Sequence, residues 1–133
     1  AAKILLYWSY HLQKGETSMA KYECEIRTGI GALADYLHSA LLNGSISASY
    51  EDGTDYTVGS MRVIFNVYER YSYMGGNRVS MNVTLVGNDR DLFFSAITSG
   101  GSSAVFFKLN TLGEESFLEK LVPIVENYKK RVE

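Results

Sequence analysis

Across residues 60–109, apolar and polar side chains alternate through several strand-length runs separated by glycine-rich segments. A period of two sends successive side chains to opposite faces of a strand, so each run has an apolar half that needs a second layer. The block therefore calls for an antiparallel sheet with one face on a core. One run sets Met61, Val63, Phe65 and Val67 against Arg62, Asn66, Tyr68 and Arg70, and the next sets Val79, Met81, Val83 and Leu85 against Arg78, Ser80, Asn82 and Thr84. If the more apolar half of each run faces the core, their connection must have an odd length or carry a bulge. A three-residue loop, Met74-Gly75-Gly76, pairs Tyr73 with Asn77, Tyr71 with Val79, Val67 with Val83 and Phe65 with Leu85. A two-residue Gly75-Gly76 turn would instead put Phe65 on the wrong face, and Gly76 can supply the left-handed residue that the longer loop needs.

The segments around this block complete the layer. Tyr22, Cys24 and Ile26 alternate with Lys21, Glu23, Glu25 and Arg27, which predicts a first strand ending in a Thr28-Gly29 turn. Ile30, Leu33, Leu37 and Leu41 recur at helical spacing, and Asn43-Gly44 provides a stop. Ile46, Ala48 and Tyr50 predict a second strand that ends in the turn-rich residues 51–55. Residues 92–98 read as a fifth strand, and residues 104–109 as a sixth or as its continuation past the interruption at 99–103. Phe93, Phe94, Ile97, Phe106 and Phe107 make this pair apolar on both faces, as expected if a helix, the N-terminal segment or another subunit covers the second face. Thr111 and Glu114 have capping-box spacing, and beyond them Phe117, Leu118, Leu121, Val125 and Tyr128 form one face of a helix interrupted by Pro123.

The expected class is α+β: an antiparallel sheet of about five to six strands on two helices, in the order β-α-β-β-β-β-(β)-α. If the sheet curves around the last helix, the topology resembles a reduced helix-grip fold with an apolar cavity, but a filled two-layer sandwich is the preferred reading, because natural cores usually fill.

A chain of 133 residues fits one domain. The single Cys24 excludes an internal disulfide and points to a reducing compartment, hence the cytoplasm. A net charge of −2 provides no global basic field, so nucleic acid is not an expected partner. The apolar start AAKILLYWSY is too short to span a bilayer. Two readings of residues 1–18 stay open: a leader preceding a native start at Met19, or a helix packing Leu5, Trp8 and Leu12 on the body. The domain proper is expected over residues 19–133.

The segments YERYSYMGGNRVSMNVTLVG, FFSAITSGGSSAVFFK and NTLGEESF resemble a small bacterial family defined only as a domain of unknown function, over residues 19–128. The resemblance implies an α+β domain from a bacterial cytosol and transfers neither activity nor catalytic residues.

Candidate sites are few. Arg62, Tyr68, Arg70, Arg78, Ser80 and Asn82 share one face in the register above, a basic and aromatic surface for an anionic ligand, although a solvated face with paired arginines is the commoner outcome. Tyr71 and Tyr73 fall elsewhere, which weakens a base-stacking reading. Ser99, Gly100 and Gly101 could present amides to an anion, but they lack the lysine and spacing of a phosphate loop, and a bulge explains them as well. Asp35 and His38 stand three apart on a helix, an ordinary surface pairing, and Cys24 reads as a small buried thiol. No metal, cofactor or catalytic set emerges. The leading expectation is a small-molecule or lipid-binding module with an apolar pocket between the sheet and the last helix. A homo-oligomerisation or interaction module working through residues 92–109 comes second, and an enzyme third.

Overall fold

In the computed structural model, which describes residues 19–43, 48–72, 77–100 and 107–133, the alternating runs become five strands. The elements are β1 (Met19–Ile26), α1 (Ile30–Asn43), β2 (Ser49–Val58), β3 (Met61–Ser72), β4 (Asn77–Gly87), β5 (Leu92–Gly100) and α2 (Phe107–Val132). They form one sheet in the order β1-β5-β4-β3-β2, with every neighbouring pair antiparallel. The chain is thus α+β, and its first strand closes beside its last.

Both helices lie on the same face of the sheet. α1 buries Ile30, Leu33, Leu37 and Leu41, and α2 buries Phe117, Leu118, Leu121 and Val125. They meet the even positions of β1 and β5 (Tyr22, Ile26, Phe94, Ala96) and the odd positions of β4 (Val79, Met81, Val83, Leu85). Tyr22 and Phe94 pack edge to face at 6.0 Å within that layer. The β4–β5 turn fixes the entry of α1: the Ile30 amide donates to the Asn88 carbonyl at 3.0 Å, satisfying one of the helix's orphan donors. Asn88 holds the turn itself, its Oδ1 accepting from the Arg90 and Asp91 amides at 2.8 and 3.0 Å.

Three expectations from the alternation are corrected. First, β3 is turned over. Ile64 and Tyr68 are buried beneath the helices, while Val63, Phe65 and Val67 lie on the other, uncovered face. The pairing is Phe65 with Thr84, Val67 with Asn82 and Tyr71 with Arg78, one residue away from the register that matches the more apolar halves. Residues 73–76, where the odd loop was expected, lie outside the described residues. The physical reason is that the even positions of β3 are amphipathic. Their stems fill the flank of the core while their polar tips find partners there, as Arg62 does with Asp55 and Tyr68 with His38.

Second, β2 does not end at residues 51–55 but runs through them to Val58, and the turn is Gly59-Ser60, with Gly59 at φ 61°. The turn-like composition is absorbed by a bulge between Tyr50 and Asp52. Gly53 fits the strand for want of a side chain, since a Cβ there would lie 2.7 Å from the Phe65 carbonyl oxygen. Third, Phe107, Lys108 and Leu109 belong to α2 rather than to a sixth strand, and α2 begins ahead of the expected cap at Thr111. Residues 101–106 and 44–47, including Gly101, Phe106 and Gly44, lie outside the described residues, as do residues 1–18.

Gly87, at the end of β4, is the tightest point of the turn that anchors α1. A Cβ there would meet the Asp91 carbonyl oxygen at 2.2 Å and the Leu92 Cα at 2.6 Å, both backbone atoms that cannot swing aside. Gly87→Ala is expected to lower the unfolding free energy in urea by about 1–3 kcal/mol. Arg90→Ala in the same exposed turn should change it by less than about 0.5 kcal/mol. Equal small effects would contradict this account of the turn.

Candidate binding surface on the open sheet face

With both helices on one side, the opposite face of the sheet carries the odd residues of β1, β3 and β5 and the even residues of β4. Cross-strand partners make continuous rows there. One row runs Glu25, Phe93, Val86, Val63, Tyr56, apolar over four strands and acidic at the β1 edge. The next runs Glu23, Ser95, Thr84, Phe65, Thr54, and the third runs Lys21, Ile97, Asn82, Val67, Asp52. Tyr56 and Val58 are 65% and 63% exposed, Met61 42% and Phe93 39%, and all four belong to this face. Large apolar side chains are thus gathered on one surface, which makes it a candidate for binding.

At the Phe93 end the surface deepens into a groove of about 640 Å³. Met61, Val86 and Phe93 contribute apolar walls from the open face, Ile26 and Leu92 come from the strand ends, and Lys129 and Glu133 reach in from the last turn of α2. Glu23, Glu25, Asp91 and Glu133 outnumber Arg27 and Lys129 around it, so the groove is acidic at its rim. Glu23 is held in place by the Ser95 hydroxyl, which donates to it at 3.0 Å, and by Lys21 at 3.5 Å.

Cys24 also borders the groove but is buried, and loss of solvation pushes its thiol up to about 11, a shift that the neighbouring Tyr22 and Lys129 only partly oppose. Tyr22 beside it donates to Glu126 at 2.5 Å, and burial drives its phenol well above the usual tyrosine range. Both groups stay protonated and inert at neutral pH. Among the described residues, no three His, Cys, Asp or Glu side chains converge as a metal site.

The basic and aromatic face expected from the sequence divides between the two sides of the sheet. Arg62, Tyr68 and Arg70 pair with Gly87, Met81 and Val79 on the helix side, whereas Arg78 and Asn82 lie on the open side. Arg62 makes a bidentate pair with Asp55 at 2.8 and 2.6 Å, which holds the Asp55 carboxyl below its usual range. Arg78 pairs with Glu69 and, at 3.9 Å, with Glu51. Arg62 and Arg78 thus follow the commoner outcome of ion pairing. Tyr68 forms a small aromatic and polar cluster with His38, whose Nδ1 is 2.8 Å from its hydroxyl, and with Tyr50 and Asn66. Burial pushes the Tyr68 phenol up to about 12. Arg70 lays its guanidinium 5.7 Å over the Phe117 ring, and its buried Nη1 has no hydrogen-bond partner among the described residues. Ser99 and Gly100 lie within β5, where the Ser99 carbonyl accepts from the Ser80 hydroxyl at 3.3 Å. They are strand residues there, not an amide-lined loop.

The alternation hid Tyr56, Val58 and Met61 as surface residues, because it placed the first two beyond a turn and the third in the core. The alternation of β3 alone could not show this, because its buried face is set by its pairing with β4.

The model of DUF6054, a family of unknown function, matches residues 19–129. The chain belongs to this family. No curated protein matches it. The family carries no assigned activity to set against the groove, so what this surface does has to be argued from its chemistry. No described helix is long and apolar enough to cross a membrane.

The thiol offers a direct check on the groove's border. With its pKa moved from 9.0 to about 11, native Cys24 should react with iodoacetamide at pH 8 about 100-fold more slowly than the urea-unfolded chain. Since the folded pKa lies above the unfolded one, the stabilisation is complete below pH 9 and is lost as pH rises through 11. Chemical denaturation from pH 8 to 11 should therefore show stability falling. Equal native and unfolded alkylation rates would contradict the buried placement.

Proposed function

We propose that this domain is a non-catalytic interaction module whose working surface is the open face of the sheet. One observation carries the reading: β3 turns its more apolar side, Met61, Val63, Phe65 and Val67, away from the helices, where the row from Phe93 to Tyr56 extends it across the sheet. Met61 is exposed there and Val63, Phe65 and Val67 are half-buried. Burying the rest of their apolar surface would stabilise a complex by some fraction of the roughly 1.5–3 kcal/mol that full burial of such a side chain gives. A partner recovers that free energy on docking. Strand β5 contributes Phe93 and Ile97, which agrees with the expectation that residues 92–109 hold an interaction surface. The lone buried Cys24 supports a cytoplasmic setting, and the family resemblance supports a bacterial one.

A second reading is favoured by the groove. Its volume of about 640 Å³ lies within the usual range for small-molecule sites, roughly 300–1,000 Å³. An apolar ligand with a cationic end would suit its apolar walls and acidic rim. It lies where strand ends meet the last turn of α2, near the expected position between sheet and helix. Native mass spectrometry of freshly purified protein should reveal a retained small mass if this reading holds, and the bare chain mass would count against it.

The interaction reading is tested by photo-crosslinking in the native cell, with benzoylphenylalanine in place of Tyr56 or Val58 and, as control, in place of the exposed Lys120 on α2. A discrete protein adduct is expected at the two sheet positions and not at Lys120. Absence of an adduct at both sheet positions would overturn the reading.

A further inference from the structure

We infer that the occupant of the open face is a second copy of this chain, docked sheet on sheet about a two-fold axis running along β4; the inference rests on the reading of that face as an interaction surface. β4 is the middle strand of the sheet. Rotation about an axis parallel to it keeps each cross-strand row at its own level. It sets β5 over β3 of the second copy and the β1 edge over the β2 edge.

The three rows then match level by level. In the first, Phe93 faces Val63, Val86 faces its own counterpart, and the Glu25 carboxylate faces the Tyr56 hydroxyl. In the second, Glu23 faces Thr54, again a carboxylate over a hydroxyl donor. In the third, Ile97 faces Val67, and Lys21 faces Asp52, opposite charges at the rim. The side chains that stand furthest into solvent, Tyr56 and Val58 on β2, come down over the half of the face that contains the groove. Each copy thus supplies both a groove and the apolar residues that fill one. This is the self-complementarity that a two-fold interface requires.

The other face-to-face arrangement, with the axis perpendicular to the strands, lays β1 on β1. It sets Lys21 over Glu25 instead of Asp52 and brings Glu23 against its own counterpart, and this like-charge contact, which the first arrangement avoids, favours the first. Area permits it. Five strands spaced about 4.8 Å apart, each contributing about eight residues of about 3.3 Å, present about 600 Å² per copy, near the lower limit for a specific dimer. Packed sheets incline by about 30°, and the length of the Lys21 side chain spans the small offset that this creates at the edge.

Sedimentation velocity of the purified chain at concentrations up to about 100 μM tests the inference, together with Lys21→Asp, Asp52→Lys, the double variant and Phe93→Asp. The wild-type chain should sediment as a dimer. Each single charge reversal should weaken dimerisation roughly tenfold or more, and the double reversal should restore it to within about threefold of wild type. Phe93→Asp, checked for native circular dichroism, should be monomeric. A wild-type chain that stays monomeric overturns self-association; an in-cell adduct at Tyr56 with a mass other than twice the chain's would then still support the broader interaction reading. A dimer insensitive to both single reversals, or not rescued by the double, overturns this arrangement.

Discussion

A sheet has two faces, and the described helices of this chain cover only one of them. Both α1 and α2 pack on the side of Tyr22, Phe94 and Met81, where their leucines and Phe117 remove nearly all apolar surface from water. The remaining properties of the molecule follow from that asymmetry. Every strand has to divide its residues between a covered side and an open one, and β3 leaves its more apolar set on the open one.

The choice made by β3 is decided by its neighbours. β4 has a clean alternation, with Val79, Met81, Val83 and Leu85 all buried, and antiparallel pairing then fixes which residues of β3 share their face. Those residues include Arg62, Asn66, Tyr68 and Arg70, poor core residues by composition and adequate ones by geometry. Their aliphatic or aromatic stems pack at the flank near α1, and their tips are tied to Asp55, to His38 or over the Phe117 ring. Tyr68 finds a partner in His38 and Arg62 one in Asp55 at the exposed edge, while the buried Arg70 Nη1 lacks a hydrogen-bond partner among the described residues. The cost of leaving Val63, Phe65 and Val67 half-exposed falls on the free monomer. That partly exposed apolar surface is the basis of the interaction reading proposed for this domain.

Much of the fold was legible in the sequence. β1, α1, β4 and the buried stripe of α2 follow from periodicities that a single face explains, as at Ile30, Leu33, Leu37 and Leu41. Three features were not legible. The turn-like residues 51–55 stay in β2 because a bulge and a glycine without a Cβ let the strand pass. Phe107 and its neighbours have strand-like composition but lie in α2. The face of β3 was misjudged because counting apolar residues assumes that the more apolar half is the buried half. The candidate arginines inherited that error, and a face that looked like one basic surface separated into two sets on opposite sides.

The register of β3 against β4 is the point on which the open face, its rows and any partner depend. Interstrand nuclear Overhauser contacts between backbone protons measure it directly in the isotopically labelled chain. The structure predicts short contacts between Phe65 and Thr84 and between Tyr68 and Met81. Contacts joining Phe65 to Leu85 and Val67 to Val83 instead would return β3's apolar residues to the core and contradict the account.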